Sequence, residues 1–143
     1  MFNQPIKTVM DKKKILTAPP LTTVSQAAEL MAAKNVGAVM VVEAGRLSGI
    51  FTERDAVFRV IARGLDPRTT CLSEVMTTAP LTVGPDKPFG LALLIMHENG
   101  FRHVPVIENG KPVGIVSSRN ALDPDLEEFV SEAQRRKYIQ ELR

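Results

Sequence analysis

The chain repeats itself. Residues 16–57 align with residues 81–122 without a gap, at a shift of 65, and 13 of the 42 aligned positions are identical. The shared residues are Leu16, Thr17, Pro20, Ala27, Met31, Val39, Val41, Glu43, Gly45, Gly49, Ile50, Arg54 and Ala56. Chance is a poor source of an ungapped match of that density, and internal duplication constrains a fold more than any single motif. Just upstream, Val9-Met10 resembles Val75-Met76 at a shift of 66. The chain therefore divides into a first unit over 3–66, a second over 67–122 and a tail over 123–143. A unit of about 55 residues buries little surface by itself. The two copies are expected to pack through their sheets, sharing one core about an approximate two-fold axis. Equivalent loops would then meet in a cleft, where ligand sites are found.

Each copy reads in the same order. Leu16-Thr17 and Leu81-Thr82-Val83 are short extended segments near prolines. The apolar positions Ala27, Ala28, Leu30 and Met31 predict a helix over 25–35, capped by Thr23 or Ser25. Its counterpart over 88–99 is richer in apolar residues, with Pro88 in the first turn. Two strands and a turn follow over 39–51, and again over 104–116, where Asn109-Gly110 is a strong hairpin signal. A second helix is predicted over 55–63, closed by Gly64. The fold class is α/β, with strand, helix, strand, strand, helix in each copy.

Composition narrows the function. At 143 residues, 44% hydrophobic and 24% charged, the chain should fold around a core. A formal net charge of +2 gives no general pull toward nucleic acid. The one cysteine, Cys71, has no internal disulfide partner, which allows a reducing compartment. No apolar run reaches the length of a membrane span, and the N-terminal lysines have no apolar stretch behind them, so no signal peptide is expected. Cytoplasmic is the expected location. No Ser/His/Asp or Cys/His order and no metal-ligand spacing stands out, so the expectation is no enzyme, no metal and no required cofactor.

The stretch Gly49-Ile50-Phe51-Thr52-Glu53-Arg54-Asp55-Ala56-Val57 returns as Gly114-Ile115-Val116-Ser117-Ser118-Arg119-Asn120-Ala121-Leu122. Each copy gives a glycine, an apolar strand, a hydroxyl where the strand should end, and Asp or Asn three residues later. The hydroxyl suits a helix cap. Hydroxyl, carboxylate and free backbone N–H groups at a helix start would also suit a ribose and a phosphate.

These features together resemble a pair of cystathionine β-synthase (CBS) motifs, a Bateman module. The resemblance covers roughly residues 3–122 and is carried by the duplicated element order, the Val-Met leads, Arg102-His103-Val104-Pro105-Val106 and the two glycine-led stretches. It implies that Thr52 and Asp55 contact the ribose of an adenosine ligand. Ser117 matches in the second copy, but Asn120 replaces the carboxylate and puts nucleotide binding there in question. The resemblance also implies a base pocket from Ile15, Leu16, Thr17, Gly37, Ala38 and Val39, and from Pro80, Leu81, Thr82, His103 and Val104. The implied role is sensing AMP, ADP, ATP or S-adenosylmethionine, with output through conformation or a regulated protein. The implied assembly is a homodimer, with contacts from residues 25–35, 56–63, 88–99 and 121 onward. The alternative is a ligand-independent interaction scaffold with vestigial sites.

Simpler roles compete for the same residues. Thr52, Ser117 and Asp55 can serve the helix start alone. Arg54 and Arg119 recur and read either as a solvated helix face or as a phosphate clamp. Arg102 and His103 stand where the first copy has Gly37 and Ala38, placing cations at one cleft wall. Met31 and Met96 are expected to fill core, and His97 to lie on the surface. The tail, with Leu126, Phe129, Val130, Ala133, Lys137 and Leu142 in a rough helical stripe and Arg135-Arg136-Lys137 and Arg143 at its far end, reads as an amphipathic helix that packs on its own module or on a dimer mate, with a partner or nucleic-acid contact as the sharper alternative.

Overall fold

The computed structural model describes residues 2–12, 15–121 and 132–137. The first motif opens with β1, Thr17–Ala18, parallel to β2. Helix α1, Val24–Lys34, begins at Thr23. The Gln26 amide donates to the Thr23 hydroxyl, and the Thr23 amide donates to the Gln26 side chain, so two orphan donors of the first turn are satisfied at once. Strands β2, Ala38–Glu43, and β3, Arg46–Thr52, form a hairpin. Its turn places Ala44 at φ 51° and Gly45 at φ 77°, the conformation that matches the twist of paired strands.

The helix after β3 differs from expectation. It starts earlier, as α2, Glu53–Asp55, and continues as a π-helix, Ala56–Ile61. The wide register is seen in the bond from Ala62 N to Val57 O (2.9 Å), and Gly64, at φ 68°, closes the helix as expected with a bond from Leu65 N to Val60 O (3.0 Å). After α3, Leu72–Val75, and β4, Thr77–Thr78, the second motif repeats the plan with α4, Phe89–Asn99, β5, His103–Glu108, and β6, Lys111–Ser117. Pro88 caps α4 from outside rather than occupying its first turn. Both hairpins carry an irregularity at the same place, between Val41 and Val42 and between Val106 and Ile107. Residues 132–137 are helical, and the rest of the expected tail helix lies outside the described residues.

The expected single core is two cores. Val39, Val41 and Phe51 pack with Val24, Ala27, Met31 and Val60. Val104, Val106 and Val116 pack with Phe89, Ala92 and Met96. Burying Phe51 or Phe89 completely contributes roughly 1.5–3 kcal/mol each. Strand alternation explains the division. One face of each hairpin meets its own helices. The opposite face carries Ala38, Met40, Ile50 and Pro105, buried but outside both clusters, where β3 contacts β6.

Each lead crosses to the other motif. Leu72 and Val75, which precede the second repeat, complete the first core. Ile6, which precedes the first repeat, completes the second. Strand β4 pairs with β3 at Gly49 and Ile50, and Asp11 bridges Ile115 in the corresponding way. A side chain at Gly49 would collide with Met76, and one at Gly114 with Met10. The two organising glycines therefore make room for the two Val-Met leads. This reciprocity joins the two copies into one α/β module with approximate two-fold symmetry.

Candidate functional site

Among the described residues, a larger and a smaller cleft lie between the motifs. The larger, about 650 Å³, is lined by Thr52, Arg54, Asp55 and Arg59 from the first motif and by Pro80, Leu81, Phe101, Arg102 and His103 from the second. The smaller, about 230 Å³, pairs Ser117 and Arg119 with Leu16, Gly37, Ala38 and Met40. Each cleft thus takes its hydroxyl from one motif and its opposite wall from the other. Glu53, Arg102 and His103 line both.

The strand-to-helix corner that presents Thr52 is held by local bonds. The Thr52 amide and hydroxyl donate to Asp55 Oδ2 at 2.9 and 3.1 Å. The Asp55 amide donates back to the Thr52 hydroxyl at 3.3 Å, and the Glu53 amide donates to Gly37 O at 3.0 Å. The expectation of free N–H groups at this helix start therefore fails: the cap takes the amides of Thr52 and Asp55, and the Gly37 carbonyl takes that of Glu53. The second copy builds the same corner. The Ser117 amide and hydroxyl donate to Asn120 Oδ1 at 2.8 and 3.4 Å, and the Ser118 amide donates to Arg102 O at 2.9 Å.

Charge separates the two corners. Asp55 Oδ1 lies 3.5 Å from Arg59 Nε, while Arg59 Nη1 donates to the carbonyls of Val75 and Met76. Arg54 is exposed and stacks over Phe58, 4.5 Å from the ring centroid. His103 is half-buried. Loss of solvent lowers its pKa below the ordinary 6.5, opposed by Glu53 and reinforced by Arg119 and Arg102. At the expected cation pair, Arg102 thus stands beside an imidazole whose charged form the fold disfavours.

Several expected lining residues stand elsewhere. Val39 and Val104 are fully buried in the two cores, because alternation turns their side chains away from the clefts. Pro105 is buried between the hairpins. Thr17 is exposed on β1, Thr82 is half-buried, and neither lines a cleft. Asn120 serves the Ser117 cap and lines neither cleft. Sequence reasoning missed Glu53 and Arg59. The spacing of Asp55 and Arg59, four apart on a helix, was the available signal for the second. Met31 and Met96 fill core and His97 is exposed, as expected. Among the described residues no helix is long and apolar enough to cross a membrane.

The family profile described as CBS domain matches residues 6–62 and again 72–125. The CBS domain-containing protein CBSCBSPB3 of Arabidopsis thaliana is 42% identical over 110 residues, covering 76% of this chain and 20% of that protein, so this chain spans about a fifth of that relative. The crystal structure of an uncharacterized conserved protein from Pyrococcus horikoshii superimposes with a TM-score of 0.79 at 34% identity, over 85% of this chain and 92% of that one. The CBS domain protein PAE2072 from Pyrobaculum aerophilum, complexed with AMP, shares the fold with a TM-score of 0.77 at 22% identity, over 90% of this chain and 99% of that one. The duplicated sequence, the crossed leads and both profile matches lead to one assignment: the chain belongs to the CBS domain family and carries two CBS motifs in tandem.

Proposed function

We propose that this CBS pair is a regulatory module that binds an adenosine-containing ligand in the larger cleft, with the ribose at Thr52 and Asp55. The observation that carries the reading is the makeup of that cleft. Two carboxylates, Glu53 and Asp55, three arginines, two from the first motif and one from the second, and the apolar surface of Leu81, Pro80 and Phe101 converge in about 650 Å³, inside the roughly 300–1,000 Å³ of small-molecule sites. The diol would donate to Asp55, the base would lie on the apolar wall, and Arg102 with Arg54 would face the phosphate. The AMP held by the Pyrobaculum relative supports the ligand class. The smaller cleft, about 230 Å³, falls below that range and has Ser117 at its corner with no carboxylate three residues on, so one tight site per chain is expected.

Output would pass through a homodimer or a partner. Val57, Phe58 and Ile61 on the π-helix are 50%, 57% and 71% exposed, and Leu94 on α4 is 51% exposed. Exposed apolar side chains on a helix are the usual material of an interface. Light scattering at tens of micromolar should give twice the mass of the chain, and Ile61→Asp should return it to a monomer.

A thermal-shift panel of AMP, ADP, ATP, S-adenosylmethionine and adenosine tests the ligand reading. A ligand that binds only the folded state raises Tm, by about 2.7 kcal/mol of stability at one hundred times its Kd. At least one phosphorylated adenosine should raise Tm more than adenosine does. No shift with any of the five would favour the scaffold reading, in which Asp55 serves only the cap and its arginine.

A further inference from the structure

One arginine spans the larger cleft and the joint between the motifs. Arg59 lies four residues after Asp55, so the two side chains share a helix face. The Thr52 cap occupies one oxygen of Asp55, and the other faces Arg59 Nε at 3.5 Å. The same guanidinium donates from Nη1 to Val75 O at 3.3 Å and Met76 O at 3.2 Å. Those carbonyls close α3, where a cation satisfies otherwise orphaned acceptors. Met76 then packs over Gly49 and leads directly into β4.

The second copy supplies an internal control. The position equivalent to Asp55 is Asn120, and the position equivalent to Arg59 is Pro124. Where the carboxylate is neutralised, the arginine is absent as well. A neutral amide needs no counter-charge, whereas a carboxylate 13% exposed is better held with one.

We propose that Arg59 is the positioning residue of the Thr52 and Asp55 cleft and carries its occupancy to residues 72–76. The inference deepens the ribose reading and rests on it for the identity of the ligand. The cap fixes one carboxylate oxygen and Arg59 fixes the other, so the carboxylate has one orientation toward the cleft. The Arg59 contact is long, and a carboxylate has about four lone-pair sites, so acceptor capacity remains for a diol. A ligand that selects this orientation favours the state with Arg59 in place. By reciprocity, that state also favours the contacts to Val75 and Met76.

The test has one arm without nucleotide and one with it. The Met76 amide donates to Leu72 O at 2.8 Å and reports the last turn of α3 by hydrogen exchange. Arg59→Met and Asp55→Asn should each speed that exchange about threefold or more, and the double variant no further than Arg59→Met alone. Unchanged exchange in Arg59→Met overturns the link. In titrations with AMP and 2′-deoxy-AMP, the wild-type preference for AMP should be about tenfold and should shrink to about twofold in Arg59→Met, with partial recovery in Arg59→Lys. AMP should slow Met76 exchange in the wild type and not in Arg59→Met. An AMP preference that survives Arg59→Met overturns the positioning role. If the wild type binds neither nucleotide, the ribose reading fails and the positioning role with it, while the exchange comparison still decides the link between Asp55 and residues 72–76.

Discussion

In the larger cleft Thr52 is followed three residues later by Asp55; in the smaller, Ser117 is followed by Asn120, and both pairs close the same capping ring. The amide accepts from the Ser117 backbone at 2.8 Å, as the carboxylate accepts from Thr52 at 2.9 Å. The corner therefore needs an oxygen acceptor and not a charge. What Asp55 adds is the charge itself, with Arg59 beside it. The comparison separates what a helix start requires from what is left over for a ligand. The surplus exists in one cleft alone, and that cleft is also the larger.

The sharpest way to break this comparison is to make the first corner like the second. Asp55→Asn keeps the acceptor and removes the charge, so the fold should retain nearly all its stability while AMP affinity falls by about 1.5–3 kcal/mol, roughly 10- to 150-fold. Asp55→Ala should lose the binding and also about 0.5–2 kcal/mol of stability with the cap. Asn120→Ala should cost the cap of the smaller corner and leave AMP affinity within about twofold. Isothermal titration with urea unfolding of each variant reads both quantities. A wild-type affinity retained in Asp55→Asn, or lost in Asn120→Ala, reverses the assignment of the two clefts.

The two lead-receiving glycines allow a second comparison. A Cβ at Gly49 would meet the Thr77 carbonyl oxygen at 2.9 Å as well as the Met76 side chain, whereas at Gly114 its three nearest atoms all belong to the Met10 side chain. Backbone cannot yield as a methionine can. Gly49→Ala should therefore destabilise by about 1–3 kcal/mol and Gly114→Ala by less than about 1 kcal/mol. Equal losses in urea unfolding would show that the two crossed leads are equally rigid.

The smallest effect concerns the wall shared by both clefts. His103 has its pKa lowered in the fold, chiefly by burial, so the unfolded chain takes up its proton first as pH falls. Stability from this group is complete above the ordinary value of 6.5. It declines as pH drops from there toward the lower folded value, at no more than about 1.4 kcal/mol per pH unit. The difference between wild type and His103→Gln in urea unfolding from pH 7.5 to 5 isolates that slope. AMP phosphate near His103 would favour the imidazolium, so net proton uptake on binding at mildly acidic pH should be larger in the wild type than in His103→Gln, whose remaining change belongs to the phosphate's own titration. A flat difference profile would show that the ring is solvated in both states.

Much of this molecule was legible before its structure. The duplication, the element order, the hairpin turn at Asn109 and Gly110, the Thr23 cap and the core methionines all follow from local rules. Local rules act within about four residues, and a sequence displays them directly. The position of Thr52 and Asp55 at one corner was legible for the same reason, because a capping ring closes over three residues.

Tertiary structure decided the rest. It divided one expected core into two, because each hairpin has two faces and periodicity does not say which neighbour meets the second. It exchanged the leads between motifs, so that Gly49 and Gly114 serve packing partners in sequence segments that belong to the opposite repeat. It turned Val39 and Val104 inward and brought Glu53 to both clefts. It also lowered the pKa of His103, since a pKa depends on solvent and neighbours that only the folded chain assembles. The sequence determined which corners could form. Packing between the copies determined which groups those corners face.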